Sequence, residues 1–331
     1  LDLTITQTFI LAPIQGATDD IYRTSYAEFF TGIDYAIAPF VSTASASQIR
    51  PNAFRWLQPE YNQKMKVIPQ LLGNDPDHFL IFVRHLKTLG YTRVNWNLGC
   101  PFPVVVRKKK GAGLLPYPER IDQFLAAIQN ELDVDFSVKC RLGYDDPIQI
   151  IELMDIFNLY PLTEIIIHPR TGVQQYKGKP DLDTFEHCLS LSRHPVVYSG
   201  DIFDPDGFNR LIQRFPNHKR WMLGRGLLMN PFLPSRLLQS NPGSENPIVR
   251  FQLFHDRLYQ RYAERLSGPG HLLNRMKEHW SYWASGLNRE RKILKTIRKI
   301  IRKAEYESVV RSFFESEAKR ESYKIMEVKA P

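Results

Sequence analysis

The chain has 331 residues, 43% of them hydrophobic, which is ample for a large core and too long for one small domain. No apolar run is long enough to span a bilayer, and residues 1–12 lack a basic start, a long apolar centre and a small-residue cleavage site, so neither a membrane span nor a secretory leader is expected. The net charge of +9 is uneven: residues 245–331 carry 19 Lys+Arg against 11 Asp+Glu, nearly all of the excess. That asymmetry calls for a polyanionic partner, nucleic acid or an acidic membrane face, with a merely solvated basic helix as the bland alternative. Cys100, Cys140 and Cys188 form no CxxC pair and no disulfide framework. A reducing cytoplasm is therefore expected, with no metal site.

In chain order, strand-length apolar runs occur at residues 9–12, 35–38, 67–71, 94–97, 136–139, 164–167, 196–198 and 221–223. Helical spacing separates several of them. Residues 77–89 carry Phe79, Phe82, Val83, Leu86 and Leu89, after Asp75 and Pro76 in cap-then-proline order. Residues 122–132 carry Leu125, Ile128 and Leu132, and residues 148–159 carry Ile151, Met154, Ile156 and Phe157. Eight such runs alternating with helices predict an α/β fold, a (β/α)8 TIM barrel. An open doubly wound sheet is the alternative, but no GxGxxG follows an early strand.

Turn residues at 240–247 suggest a boundary, giving a barrel at 1–240 and a small all-helical domain at 241–331. Helices are predicted at 251–266, 272–284 and 289–303. In the last, Ile293, Leu294, Ile297, Ile300 and Ile301 make one stripe. Arg291, Lys295, Arg298 and Arg302 lie largely opposite, so Arg291, Lys295 and Arg298 are candidate polyanion contacts.

Chemistry in such a barrel sits at the C-terminal strand ends. Reading those ends collects Ala12-Pro13-Ile14, Gln70, Asn97 and Cys100, Lys139 and Arg141, His168 and Arg170, Ser199-Gly200-Asp201, and Gly224-Arg225-Gly226. One such residue alone means little; a set converging from different strands points to a site. Cys100 lies just past a strand and between Gly99 and Pro101, where a thiol can face a pocket. Gly200, Gly224 and Gly226, with Arg225, suit a phosphate at the last two strands, although glycines also serve merely to turn a chain.

These blocks, Ala12-Pro13 with Gln15-Gly16, Gln70-Leu71-Leu72-Gly73, Asn97-Leu98-Gly99-Cys100-Pro101, Val138-Lys139-Cys140-Arg141, His168-Pro169-Arg170-Thr171 and Gly224-Arg225-Gly226, together resemble the tRNA-dihydrouridine synthases, in that family's order. The tail, with Arg275-Met276-Lys277, is similar to that family's helical domain. The resemblance implies an FMN-binding barrel, NADPH as reductant and tRNA as partner, with a uridine reduced at its C5=C6 bond. It implies Cys100 as the proton donor and Lys139 at the flavin, stabilising negative charge. Ala12, Pro13, Ile14, Gln70, His168, Ser199, Gly200, Asp201, Gly224 and Arg225 would also contact the cofactor. Asn97, Arg141 and Arg170 would contact the substrate. Cys140, one residue past Lys139, points the other way in a strand and is read as structural, as is Cys188. Ser199 stands where the family usually has asparagine, Ile14 where methionine is common, and Phe102 and Pro103 where more polar residues are often found. A monomer is expected. The rivals are an FMN-dependent reductase of a small pyrimidine-like substrate and a non-catalytic RNA-binding or membrane-surface protein.

Overall fold

The computed structural model describes residues 7–43, 51–239, 246–286 and 290–318, the side chains of residues 51, 52, 290 and 291 excepted. Its strands are β1 (Thr8–Leu11), β2 (Tyr35–Ile37), β3 (Val41–Ser42), β4 (Val67–Ile68), β5 (Gln70–Leu72), β6 (Arg93–Leu98), β7 (Asp135–Arg141), β8 (Ile165–His168), β9 (Val196–Tyr198) and β10 (Arg220–Leu223). They form one sheet in the order β3-β5-β6-β7-β8-β9-β10-β1-β2-β4. β2 and β3 are two halves of one extended stretch, and so are β4 and β5, separated by Pro69 alone. β2 pairs with β4 and β3 with β5, both in parallel, so the two ends of that order are the same pair of strands. The ten segments thus occupy eight positions and close a (β/α)8 barrel. Pro69 has no N–H to give the ladder, but its carbonyl still accepts from Asn95 at 2.9 Å.

The helices are α1 (Asp20–Phe29), α2 (Pro76–Thr88), α3 (Pro103–Val106), α4 (Pro118–Gln129), α5 (Gln149–Phe157), α6 (Leu182–Leu191), α7 (Pro205–Arg214), α8 (Arg225–Met229), α9 (Leu233–Leu237), α10 (Pro247–Arg265), α11 (Pro269–Gly286), α12 (Glu290–Lys299) and α13 (Lys303–Ala318). Aspartates start several of them. Asp75 accepts the His78 N–H at 2.8 Å, with Pro76 next, and Asp181 and Asp204 cap α6 and α7 in the same manner.

Inside the barrel, Ile10, Ala12, Tyr35, Ile37, Ile68, Ile166, Val197 and Met222 form one buried cluster, with Ile14 packed against it. At the strand starts a polar layer replaces it. The fully buried Glu164 accepts the Tyr35 hydroxyl at 2.7 Å and Arg220 at 2.9 Å, and Arg93 stands 3.9 Å away. Tyr35, Arg93 and Arg220 open β2, β6 and β10, and Glu164 immediately precedes β8, so the four come from alternate barrel positions. Removing the carboxylate leaves two guanidinium groups and a phenol without their acceptor. Glu164→Ala is therefore expected to cost about 3 kcal/mol of stability, read as a lower denaturation midpoint at unchanged denaturant slope. A midpoint equal to wild type would show the layer to be dispensable.

The chain divides into two compact units, one of residues 1–15, 34–200 and 217–222, the other of residues 16–33, 201–216 and 223–331. In the second, α1 packs on α10. Arg261 donates to Glu28 at 2.7 Å and Ser25 at 2.8 Å, Arg265 reaches Asp20 at 2.7 Å, and the Tyr262 hydroxyl donates to Asp19 at 2.8 Å. Tyr22, Tyr26, Phe254, His279 and Trp283 fill its interior as a chain of stacked and edge-on rings.

The predicted helix at 289–303 ends earlier, at Lys299, and α13 follows it unforeseen. The break moves the isoleucine stripe: Ile297 and Ile300 are buried, whereas Ile301 is 81% exposed. Among the described residues no helix is long and apolar enough to cross a membrane.

Candidate active site

Parallel register decides which side chains share the inner face of the barrel. Ile166 belongs to the inner cluster and pairs with Lys139, which pairs with Asn97. Residues two apart in a strand share a face. Hence Asn95 and Asn97 of β6, Ser137, Lys139 and Arg141 of β7, His168 of β8, and Ser199 after Val197 of β9 all fall on the inner side. Gln70 joins them opposite Asn95. Above the polar layer at the strand starts the inner surface passes through the apolar cluster and becomes polar again toward the C-terminal strand ends.

Four of these residues form a hydrogen-bonded relay. Asn95 Nδ2 donates to Ser137 Oγ at 2.8 Å, Gln70 Nε2 to Asn95 Oδ1 at 2.7 Å, and Asn97 Nδ2 to Gln70 Oε1 at 2.8 Å. The relay ends on the cysteine loop, where Asn97 Oδ1 accepts the N–H groups of Gly99 at 3.0 Å and Cys100 at 2.9 Å. Gln70 and Asn97 are buried, and their amides carry this scaffold. Asn95 and Ser137 are absent from the sequence-based set. Their signal was the alternation Asn95-Trp96-Asn97 and Ser137-Val138-Lys139, polar residues at every second position of otherwise apolar strands.

Cys100 is 7% exposed. Burial pushes its thiol above the ordinary value, opposed by the Phe102 N–H and the Arg141 charge, so the sulfur holds its proton. The carbonyl of Cys100 accepts Ala112 N–H at 3.0 Å, which folds the basic loop back over it. Gly111 makes that return possible. Its φ is +56°, and a Cβ there would stand 2.6 Å from the Cys100 oxygen.

Lys139 is partly buried and forms no hydrogen bond or ion pair among the described residues. Burial, aided by the Arg141 charge, pushes its ammonium down to about 8. Cys140 faces outward. It and Cys188 on α6 are buried and raised to about 12, first by burial, and neither is a reactive thiolate.

Arg141, the last residue of β7, ties the loops after β6 and β8 together, donating to the carbonyls of Gly99 at 2.9 Å, Thr171 at 2.8 Å and Gln175 at 2.8 Å. Arg170 is 1% exposed, donates to Gly178 O at 2.7 Å and lies 3.2 Å from His168 Nε2. Ala12 and Ser199 are buried, while Pro13, Ile14 and Gly200 are partly exposed.

In the second unit, Asp201 accepts Arg225 at 2.8 Å, and Arg225 lies 5.4 Å from the centre of the Phe203 ring. Gly224 precedes α8. Gly226 is required by packing, because a Cβ would stand 2.0 Å from the Ile202 carbonyl. Lys295 and Arg298 are exposed on α12, and the Arg291 side chain lies outside the described residues. Among the described residues no cluster of His, Cys, Asp or Glu could hold a metal ion.

The chain is 26% identical over 292 residues to the tRNA-dihydrouridine(16) synthase of Pseudomonas putida, covering 84% of this chain and 87% of that protein. It is 28% identical over 242 residues to the enzyme of that name from Neisseria meningitidis serogroup A, covering 71% and 72%. With tRNA-dihydrouridine synthase B of Yersinia pestis it shares 27% over 240 residues, covering 69% and 70%. A solved structure of a morphinone reductase mutant in complex with tetrahydroNAD superposes with a TM-score of 0.50 at 10% identity, over 70% of this chain and 86% of that one, a likeness of fold alone. The family model for dihydrouridine synthase (Dus) matches residues 10–319, and the chain belongs to that family.

Proposed function

We propose that the protein is a tRNA-dihydrouridine synthase that reduces the C5=C6 bond of a uridine in tRNA to 5,6-dihydrouridine, using FMN and NADPH. The observation that carries the reading is the buried Cys100 thiol at the same end of the barrel as a partly buried Lys139 ammonium that has no hydrogen-bond or ion-pair partner among the described residues. The residues fit FMN. An ammonium without a partner among the described residues suits an electron-rich ring edge or other acceptor, and Ile14, packed on the inner cluster, offers apolar surface. Lys139, His168, Ser199 and the stretch from Ala12 to Ile14 would hold the cofactor, with Gln70 at its pyrimidine edge. FMN, when bound, supplies the hydride that uracil C6 receives, NADPH being its source.

The chain's own chemistry is the proton. As C6 gains hydride, negative charge develops at C5, and the Cys100 S–H bond breaks as C5–H forms. The thiolate left behind recovers a proton from solvent. Asn97 and the relay behind it hold the cysteine loop, so the sulfur need not be ordered at the moment of transfer. Arg141 fixes the loops around it, and Arg170 keeps its neighbouring loop in place beside the uridine. On α12, Lys295 and Arg298 are exposed cations suited to tRNA phosphates.

The test is direct. Purified protein with FMN and NADPH is incubated with an unmodified tRNA transcript and, separately, with free uridine, and dihydrouridine is measured by mass spectrometry of the digested RNA. Product on tRNA that falls steeply with added salt is expected. Turnover of free uridine at equal efficiency would instead favour a small-molecule reductase.

A further inference from the structure

Among the described residues of the first unit, the large apolar side chains left most exposed are Phe102, Val104, Ile148, Leu159, Val173 and Tyr176. All but Leu159 lie on the loops that leave the C-terminal ends of β6, β7 and β8. Those loops are fastened together. Gly172 N–H donates to Gly143 O and Val173 N–H to Tyr144 O, both at 2.9 Å, and Arg141 binds carbonyls of the first and third loops. Apolar side chains concentrated on one fastened rim, at the end of the barrel that carries Cys100, mark an interaction surface.

The backbone of one of its two aromatic residues and the ring of the other have fixed partners. Phe102, 60% exposed, caps α3, whose Val105 and Val106 N–H groups donate to its carbonyl at 2.8 and 3.0 Å, and its own N–H faces the Cys100 sulfur. Tyr176, 51% exposed, has its ring 5.9 Å from that of His168 and 5.8 Å from the Arg141 guanidinium. Each ring is followed by exposed cations, Arg107 and Lys108 after Phe102, Lys177 and Lys179 after Tyr176. The carboxylates of Asp145 and Asp146, on the loop between, are bonded within their own turn, to Gln149 and to the Ile148 N–H. An exposed ring with exposed cations within six residues after it, twice over, matches the chemistry of an unpaired nucleotide, a π-face joined to a phosphate.

We propose that Phe102 and Tyr176 are stacking platforms for the unpaired nucleotides flanking the target uridine, with the adjacent cations meeting their phosphates. This rests on the proposed function and names how that site takes RNA. Drawing a uridine out of folded RNA unstacks its neighbours, and the two rings replace the stacking lost.

The test uses Phe102→Leu and Tyr176→Leu, which keep apolar bulk without the ring, beside Phe102→Trp and Tyr176→Phe, which keep it. The probe is a single-stranded oligouridylate carrying 2-aminopurine. Wild type is expected to quench the probe, each leucine variant to bind it at least about fivefold more weakly with less quenching, and the aromatic variants to match wild type. With tRNA, the leucine variants are expected to raise KM. Leucine variants that bind and quench as wild type does would overturn the proposal. So would a wild-type dimer in sedimentation that these variants dissolve, since the rim would then belong to a second copy of the chain. Probe binding is read without turnover. A wild type that quenches but makes no dihydrouridine sinks the proposed function alone, and one that makes it equally well in the leucine variants sinks this inference alone.

Discussion

Cys100→Ala is expected to lower dihydrouridine formation on tRNA by at least about a hundredfold while the protein still folds and keeps its flavin. The loop contacts of residue 100 run through its backbone, N–H to Asn97 and carbonyl to Ala112, and alanine preserves both. What disappears is the S–H, together with the sulfur that the Phe102 N–H faces. Without it the developing charge at C5 has no positioned acid, and water must serve instead. The pH dependence has a definite sign. An acid works only while protonated, and burial raises this thiol above its ordinary value of 9.0, so activity should persist through neutral pH and fall as pH rises through the raised value. Inactivation by iodoacetamide should climb over that same alkaline range, because the thiolate is the reactive form. Normal turnover by the alanine variant would remove Cys100 from the chemistry.

Lys139→Met is expected to cost at least about tenfold in flavin affinity and to slow reduction by NADPH, measured as flavin per protein and by stopped-flow absorbance. Methionine fills similar volume without charge, so lost packing is not confounded with lost charge. In flavin-free protein the ammonium is held down to about 8, first by burial, against 10.5 for a free lysine. Wild-type flavin affinity should therefore weaken as pH rises through about 8, and the methionine variant should show a flat profile. The linkage to stability has the opposite sense. Between about 8 and 10.5 the unfolded lysine retains a proton that the folded one has released, so the flavin-free wild type should gain stability with pH relative to Lys139→Met. Identical pH profiles in both proteins would mean that Lys139 does not meet the cofactor.

Much of the barrel was legible because a strand covered on both faces must be apolar throughout, and eight such runs stand out against helical spacing. Each of the eight contains or overlaps an observed strand. The breaks were less legible. Pro69 divides one run into β4 and β5, and the chain between Ile37 and Val41 leaves and rejoins the ladder, yet neither change disturbs the apolar pattern. The end of α12 was misplaced for a related reason. Isoleucine spacing continues through residue 301, and only packing shows that Ile300 is buried and Ile301 is not.

At the site, the order of residues was enough to say which chemical groups reach the C-terminal strand ends, because strand alternation and parallel connection leave little choice for Asn97, Lys139 and His168, and Cys100 stands two residues past β6. It also determined that the late part of the chain is basic and, through its ordered motifs, the family. What those groups are bonded to emerges from the folded chain. It commits Asn97 and Arg141 to holding loops, recruits Asn95 and Ser137 behind Gln70, and buries Glu164 beneath the core. It also leaves the Lys139 ammonium without a partner among the described residues and Phe102 in solvent. Apart from the local Asn97 contacts with the cysteine loop, those bonds join residues 25 to 56 positions apart, and local patterns of charge and hydropathy carry no record of such partners.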